Sequence, residues 1–155
     1  MSKVFFIADT HFAEQDIFEM SGESRFFDSV LEKDKAIIDN WNKTITPVDT
    51  VFILGDFGKI SYLGRLNGQK FLIKGNHDSR SSCDSIYPIV YKNFFILSHE
   101  PMWVDEDSPY ANIFGHVHNN PIYKTVSPRS YCVCACRNNW TPVEFDTIKE
   151  AMSKA

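Results

Sequence analysis

Short unbroken apolar runs recur along the chain, each closed by small or polar residues: KVFFIADTH, TVFILGD, KFLIKGNHD, NFFILSHEP and NIFGHVH. Such runs are the pattern of strands covered on both faces, in contrast to the strict alternation of a half-exposed strand. Between the first two runs, Ser29 and Glu32 have capping-box spacing. Val30, Leu31, Ile37, Ile38 and Trp41 follow at intervals that give a helix one apolar face. Pro47 and Asp49 then turn the chain into the second run. Strand, helix, strand predicts a right-handed crossover and parallel pairing.

The later half reads differently. IYPIVY and FFILSH flank Lys92 and Asn93, a hairpin signal, and SYCVCACR and TPVEF flank NNW, a second one. Thr147 with Glu150 is placed to cap a short last helix. The segment from Phe12 to Asp28 has no clear period and reads as a long loop just after the first polar cluster, where function often resides. The pattern predicts an α/β fold with parallel strands first, antiparallel pairs later and helices outside.

A chain of 155 residues predicts one domain spanning 1–155. The formal charge of −4 argues against a stable nucleic-acid partner, which needs a basic face. It leaves an anionic substrate open, because bound divalent cations reverse the local sign. No apolar stretch approaches the ~20 residues that cross a bilayer, so no membrane partner is expected. The apolar stretch between Lys3 and Asp9 is too short for a signal-peptide core. Three of the 4 cysteines, Cys132, Cys134 and Cys136, alternate so closely that they are poorly placed to pair with one another. A reducing, cytoplasmic setting follows. In a strand those three would share a face; a zinc site wants a close pair with a turn between, so a structural role is expected. The 13 Phe suggest that some rings meet a second copy in a homodimer.

The 5 histidines change the picture. His11, His77, His99, His116 and His118 all follow apolar runs, and Asp56 follows another in LGD. Function gathers at the carboxyl ends of strands in crossover sheets. Convergence there would bring together Asp9, Asp56, Asn76 and the imidazoles, more ligands than one transition-metal site takes and about right for two. In D-T-H and H-V-H, alternate residues project the same way if strand geometry persists. A lone histidine after a strand is ordinarily structural, but the whole set choosing strand ends is not accidental.

In that order, DTH, GD, GNHD, SH and GHVH resemble the calcineurin-like metallophosphoesterases, specifically a small, single-domain branch of bacterial or phage type. RFF, IIDNWN, DTVFILGDF, LNGQKFLIKGNHD and NNWTPVEFDTI carry the same likeness. The resemblance implies a four-layer α/β/β/α sandwich of two mixed sheets with a metal site at the carboxyl ends of the strands. It implies that Asp9, His11 and His118 bind one ion, that Asn76, His99 and His116 bind the second, and that Asp56 bridges them. His77 would bind neither and act near the leaving-group oxygen. The ions would be two divalent metals, manganese first, with iron, zinc, nickel or cobalt as alternatives. They would lower the pKa of a bridging water to supply hydroxide. Asp78 is a candidate to orient the His77 ring, and Arg25 a candidate phosphate contact beside Asn76 and His77. The implied activity is hydrolysis of a small phosphate ester, a phosphodiester before a monoester. A non-catalytic binding module on the same fold, a nuclease and a protein phosphatase are the alternatives. The chain departs from the usual pattern at GDFGK, at Ser98 where glycine or cysteine is frequent, and at Cys132 where asparagine is expected.

Overall fold

The computed structural model describes residues 1–155. Every apolar run singled out above is a strand: β1 (Val4–Ile7), β2 (Thr50–Leu54) and β3 (Gln69–Ile73), then β5 (Phe95–Ser98) and β6 (Ala111–Phe114). Shorter strands complete the set: β4 (Ile89–Tyr91), β7 (Val126–Ser127), β8 (Ser130–Cys132) and β9 (Val143–Glu144). They form two mixed sheets, one in the order β3-β2-β1-β9 and the other β4-β5-β6-β8-β7. In the first, β1, β2 and β3 are parallel and β9 is antiparallel to β1. In the second, β5, β6 and β8 are parallel, with β4 and β7 antiparallel at the edges. The later half is therefore less antiparallel than the sequence pattern suggests.

Period-two alternation divides the core. On one face of the first sheet, Phe5, Ile7, Val51, Ile53 and Leu72 join Ile37, Ile38 and Trp41 of α2 (Val30–Thr44), the crossover helix. The alternate residues Phe6, Leu54 and Ile73 join Leu97, Ile113 and Tyr131 of the second sheet in a shared cluster. There α3 (Phe145–Ser153) buries Phe145, Ile148 and Met152, so it packs into the cluster common to both sheets. Trp41 is fully buried and its indole N–H donates to Asn67 O at 2.9 Å, so the ring buries its apolar area without orphaning its polar end.

Local expectations fare unevenly. Ser29 does cap α2, its Oγ accepting Glu32 N–H at 3.1 Å, but the Glu32 carboxylate returns to Asp28 N–H at 2.7 Å, one residue earlier than in a true capping box. Leu31 is 69% exposed, while Lys33 and Asp34 are buried on the face that packs inward. The supposed loop after Phe12 contains α1 (Gln15–Met20) and a 3-10 turn at Glu23–Arg25. The hairpin through Lys92 and Asn93 is present as β4–β5. The hairpin around NNW is not: β8 belongs to the second sheet and β9 to the first. Residues just after β8 bond to the end of β1 (Ala8 N–H to Val133 O at 2.9 Å, Ala135 N–H to Ala8 O at 2.8 Å), so the chain changes sheets there. Thr147 lies inside α3, whose N-cap Glu144 makes no side-chain cap.

Candidate metal centre

Asp9 and His11 follow β1, Asp56 follows β2, Asn76 to Asp78 follow β3, His99 follows β5, and His116 and His118 follow β6. Strand geometry does not persist into them. Asp9 (φ 57°), His11 (φ 44°), Asp56 (φ 53°), His116 (φ 69°) and His118 (φ 45°) are all left-handed. That corrects the expectation that D-T-H and H-V-H project their ligands by strand alternation. Each such residue stores about 1 kcal/mol or more of strain, which persists only where the surroundings over-determine it. They do so here: Asp9 N–H bonds Gly55 O at 3.0 Å, His11 N–H bonds Asp56 O at 3.0 Å, and His116 N–H bonds Asp9 Oδ2 at 2.7 Å.

The strand ends also approach very closely. A Cβ on Gly75 would lie 2.2 Å from Asp56 Oδ1, and one on Gly115 would lie 2.4 Å from Ala8 Cβ and 2.6 Å from Asp9 Oδ2. Gly75 is not among the left-handed glycines, so its role is this approach and not a sharp turn.

Two groups of side chains result. Ligand atoms of Asp9, His11 and His118 lie within 4.8 Å of one another, as do those of Asp56, His99 and His116. Asp9 Oδ1 is 3.7 Å from His11 Nε2 and 3.5 Å from His118 Nε2. Asp56 Oδ2 reaches both groups, at 3.6 Å from His11 Nε2 and 3.3 Å from His99 Nε2. Asn76 Oδ1 joins the second, 2.9 Å from His99 Nε2 and 3.2 Å from His116 Nδ1. The Asp9 and Asp56 separations are too long for strong hydrogen bonds. Ligands sharing a cation, each ~2.1 Å from it, stand roughly 3.0–3.4 Å apart; the Asp56–His99 separation falls in that range and the other three exceed it by 0.1–0.3 Å. Asp9 Oδ1 and His11 Nε2 are buried without any hydrogen-bond partner, a costly state that a cation between them would relieve.

The surrounding bonds aim these atoms. The His99 Nδ1–H donates to Leu54 O at 2.8 Å, and the His11 Nδ1–H to Glu14 Oε2 at 3.1 Å, which leaves each Nε2 with its lone pair inward. Asp9 Oδ2 accepts His116 N–H and the Cys134 thiol, at 3.1 Å, so Oδ1 faces the histidines. Asp78 does not touch the His77 ring. Its Oδ2 accepts Asp56 N–H (2.7 Å) and Gly75 N–H (2.8 Å) and its Oδ1 accepts Phe57 N–H (3.0 Å), latching the loop after β2 to the loop after β3. His77 belongs to neither group. It is exposed, its N–H donates to Asp56 Oδ1 at 2.8 Å, and its ring stands edge-on to His11 at 5.3 Å. Arg25 is exposed and its Nε turns back to Gly22 O at 3.3 Å; it is not drawn to the groups. Cys132 ends β8 and Cys134 precedes a 3-10 turn, so the cysteines do not share a strand face; they pack with Phe114 and Val117 outside both groups.

An archaeal protein of Methanocaldococcus jannaschii, the uncharacterized protein MJ1445, is 32% identical over 99% of this chain and 93% of its own length. The chain belongs to the MJ1445 family. No family profile matches it. The Gene 66 protein of Mycobacterium phage L5 is 34% identical over 87 residues, 50% of this chain and 41% of its own length. Among solved structures, a protein of unknown function from Aquifex aeolicus, AQ665, superposes with a TM-score of 0.72 at 28% identity, over 97% of this chain and 99% of its own. A fold like that of AQ665 thus accompanies membership of the MJ1445 family. YfcE, a phosphoesterase from E. coli, reaches only a TM-score of 0.37 at 16% identity over 85% of this chain and 78% of its own, a likeness that says nothing about this family member.

In this MJ1445-family site, buried carboxylates and imidazoles shift one another's titration. Burial alone would lower the His11 pKa, but the adjacent Asp9 carboxylate, the hydrogen bond to Glu14 and the charge of Asp56 raise it to about 9. Burial opposes ionisation of Asp56, yet the adjacent His99 and the His77 N–H bring it down to about 2. Asp9 is likewise lowered against its burial by His11, His118 and His99. A cation bound among carboxylates and imidazoles would compete with protons for the same atoms.

Two supporting residues escape a reading of the sequence by runs. Glu14 stands three residues beyond His11, but in a segment without a clear period, where no pattern marks it. Lys33 is fully buried and its Nζ donates to Thr10 O (2.8 Å) and His11 O (3.0 Å), holding the turn that carries His11. Its signal was present: Lys33 precedes Ile37 by four and Trp41 by eight, squarely on the apolar face.

Proposed function

We propose that the protein is a phosphoesterase that works with two divalent metal ions. The observation that carries the proposal is Asp56 Oδ2 standing within 3.6 Å of His11 Nε2 and 3.3 Å of His99 Nε2, between two ligand groups. In this reading Asp9, His11 and His118 hold one ion, Asn76, His99 and His116 the other, and Asp56 both. The donors fit: imidazole, carboxylate and amide oxygen suit manganese, iron, zinc, nickel or cobalt, and the unpartnered Asp9 Oδ1 and His11 Nε2 face the place where an ion would lie. When bound, such a pair supplies Lewis acidity and a nucleophile from water at neutral pH.

The chain's own residues supply the rest. Glu14 and the Leu54 carbonyl fix the His11 and His99 tautomers, so ligand lone pairs are pre-aimed. His77 is held at the rim by Asp56 through its backbone, with its ring free to donate a proton to a departing alkoxide. Two divalent ions add +4 to a formal charge of −4, so an acidic chain can present a positive pocket to a phosphate. A four-layer sandwich and a single domain over 1–155 belong to this reading; the two mixed sheets and the placement of α2 support it. A small phosphodiester is the proposed substrate, ahead of a monoester.

Replacing His77 tests the reading. His77→Ala is expected to keep its bound metal, measured by elemental analysis, and to lose roughly 10²-fold in turnover of a generic phosphodiester. Full activity in that variant would remove His77 from the mechanism.

A further inference from the structure

A cleft of about 420 Å³ opens beside the second ligand group, with Asn76 and His99 of that group in its lining. Ile86 and Tyr87 supply one part of its lining and Pro101 and Met102 another. The volume is in the range of small-molecule sites, and the lining mixes apolar side chains with polar ones that include Lys74, Ser98 and Glu100.

Tyr87 and Met102 of the lining sit on backbone that hydrogen bonds hold in place. Tyr87 is 68% exposed and Met102 43% exposed, so neither contributes much to the core. Yet their backbones are pinned. The Ser85 hydroxyl donates to Tyr87 O at 2.8 Å and accepts Tyr87 N–H at 3.2 Å. Met102 N–H donates to Oδ1 of the buried Asn112 at 2.8 Å. Asn112 is itself fixed through its amide to Ile96 O and Ser98 Oγ, both at 2.9 Å. The anchored backbone thus carries an uncovered ring and an uncovered thioether in the lining of the cleft.

We propose that this cleft binds the organic substituent of the phosphate ester, and that it selects a flat aromatic or heteroaromatic group. The phosphoryl group lies at Asn76 and His99, and the planar group lies between Tyr87 and Met102. Ring stacking on Tyr87 and sulfur–ring contact with Met102 supply the preference. The inference rests on the phosphoesterase reading, because that reading puts the phosphate beside Asn76 and His99.

Phosphonates test it, since their P–C bond is not an ester and binding is read without turnover. Calorimetric titration of the manganese-loaded protein should find phenylphosphonate bound roughly tenfold more tightly than methylphosphonate. Tyr87→Ala and Met102→Ala should each cut that ratio toward one and leave methylphosphonate unchanged. Equal affinity for the two compounds in the unmodified protein, or a ratio unmoved in both variants, overturns the inference and leaves the phosphoesterase reading standing. Loss of methylphosphonate binding in the variants also counts against it, because the side chains would then be supporting the phosphate end. Failure of both compounds to bind the loaded, unmodified protein overturns the inference and the phosphoesterase reading together.

Discussion

Single atoms decide how the site is aimed, and Cys134 shows this most directly. Its thiol and the His116 N–H both bond Asp9 Oδ2, and the other oxygen is left to the histidines. Removing a bond that orients a ligand ordinarily costs about tenfold or more in metal affinity. Cys134→Ala should therefore weaken manganese binding about tenfold in equilibrium titration, and Cys134→Ser, which keeps a donor, should restore most of it; equal affinities in both variants would refute the role. Protons compete for the same atoms. The His11 pKa is raised to about 9, so in metal-free protein its interactions with Asp9 and Glu14 stabilise the fold fully below 6.5 and are lost as pH rises through about 9. Chelated protein should consequently melt lower at pH 9.5 than at pH 6.5, while apparent metal affinity climbs over the same interval as the proton leaves. Asp56 has the opposite sense: its contribution, present above 3.8, fades as pH falls through about 2. The identities of these residues were legible from their place after apolar runs. Their partners were not, because the bond from Cys134 to Asp9 spans 125 positions and no local pattern encodes it.

Elements set those atoms in place, and α2 does so from beneath. Lys33 lies on its buried face and donates to the carbonyls of Thr10 and His11, with Glu23 at 3.8 Å and Asp34 at 3.4 Å as its counter-charges. Removing one partner from a buried charge cluster leaves the others uncompensated and typically costs about 3–5 kcal/mol. Lys33→Met should lower the denaturation midpoint accordingly and weaken metal binding through the turn that bears His11; an unchanged midpoint would contradict this account. The apolar periodicity announced α2 and the strands β1, β2, β3, β5 and β6, since buried runs and helical spacing are local signals. It misplaced β8 and β9, because a chain that passes between sheets looks like a hairpin from sequence alone. The bonds from Ala8 to Val133 and from Ala135 to Ala8 decide the matter, and they are long-range. It also missed α1, a short helix with only Phe18 buried, too brief to show a period.

At the scale of the molecule, two mixed sheets share one apolar cluster, and their strand ends meet where Gly75 and Gly115 allow backbone and carboxylate to touch. The resulting nest places buried acids and imidazoles together at a density that only cations or protons can balance. The overall fold is shared with AQ665. The central claim, that the nest is a two-ion hydrolytic site, is tested most directly by titrating metal-depleted protein with manganese while following cleavage of bis(p-nitrophenyl) phosphate. Activity should appear only as ions bind and level off at two per chain. A protein that binds no ion, or fills both sites and cleaves nothing in a panel of phosphodiesters and monoesters, would contradict that claim.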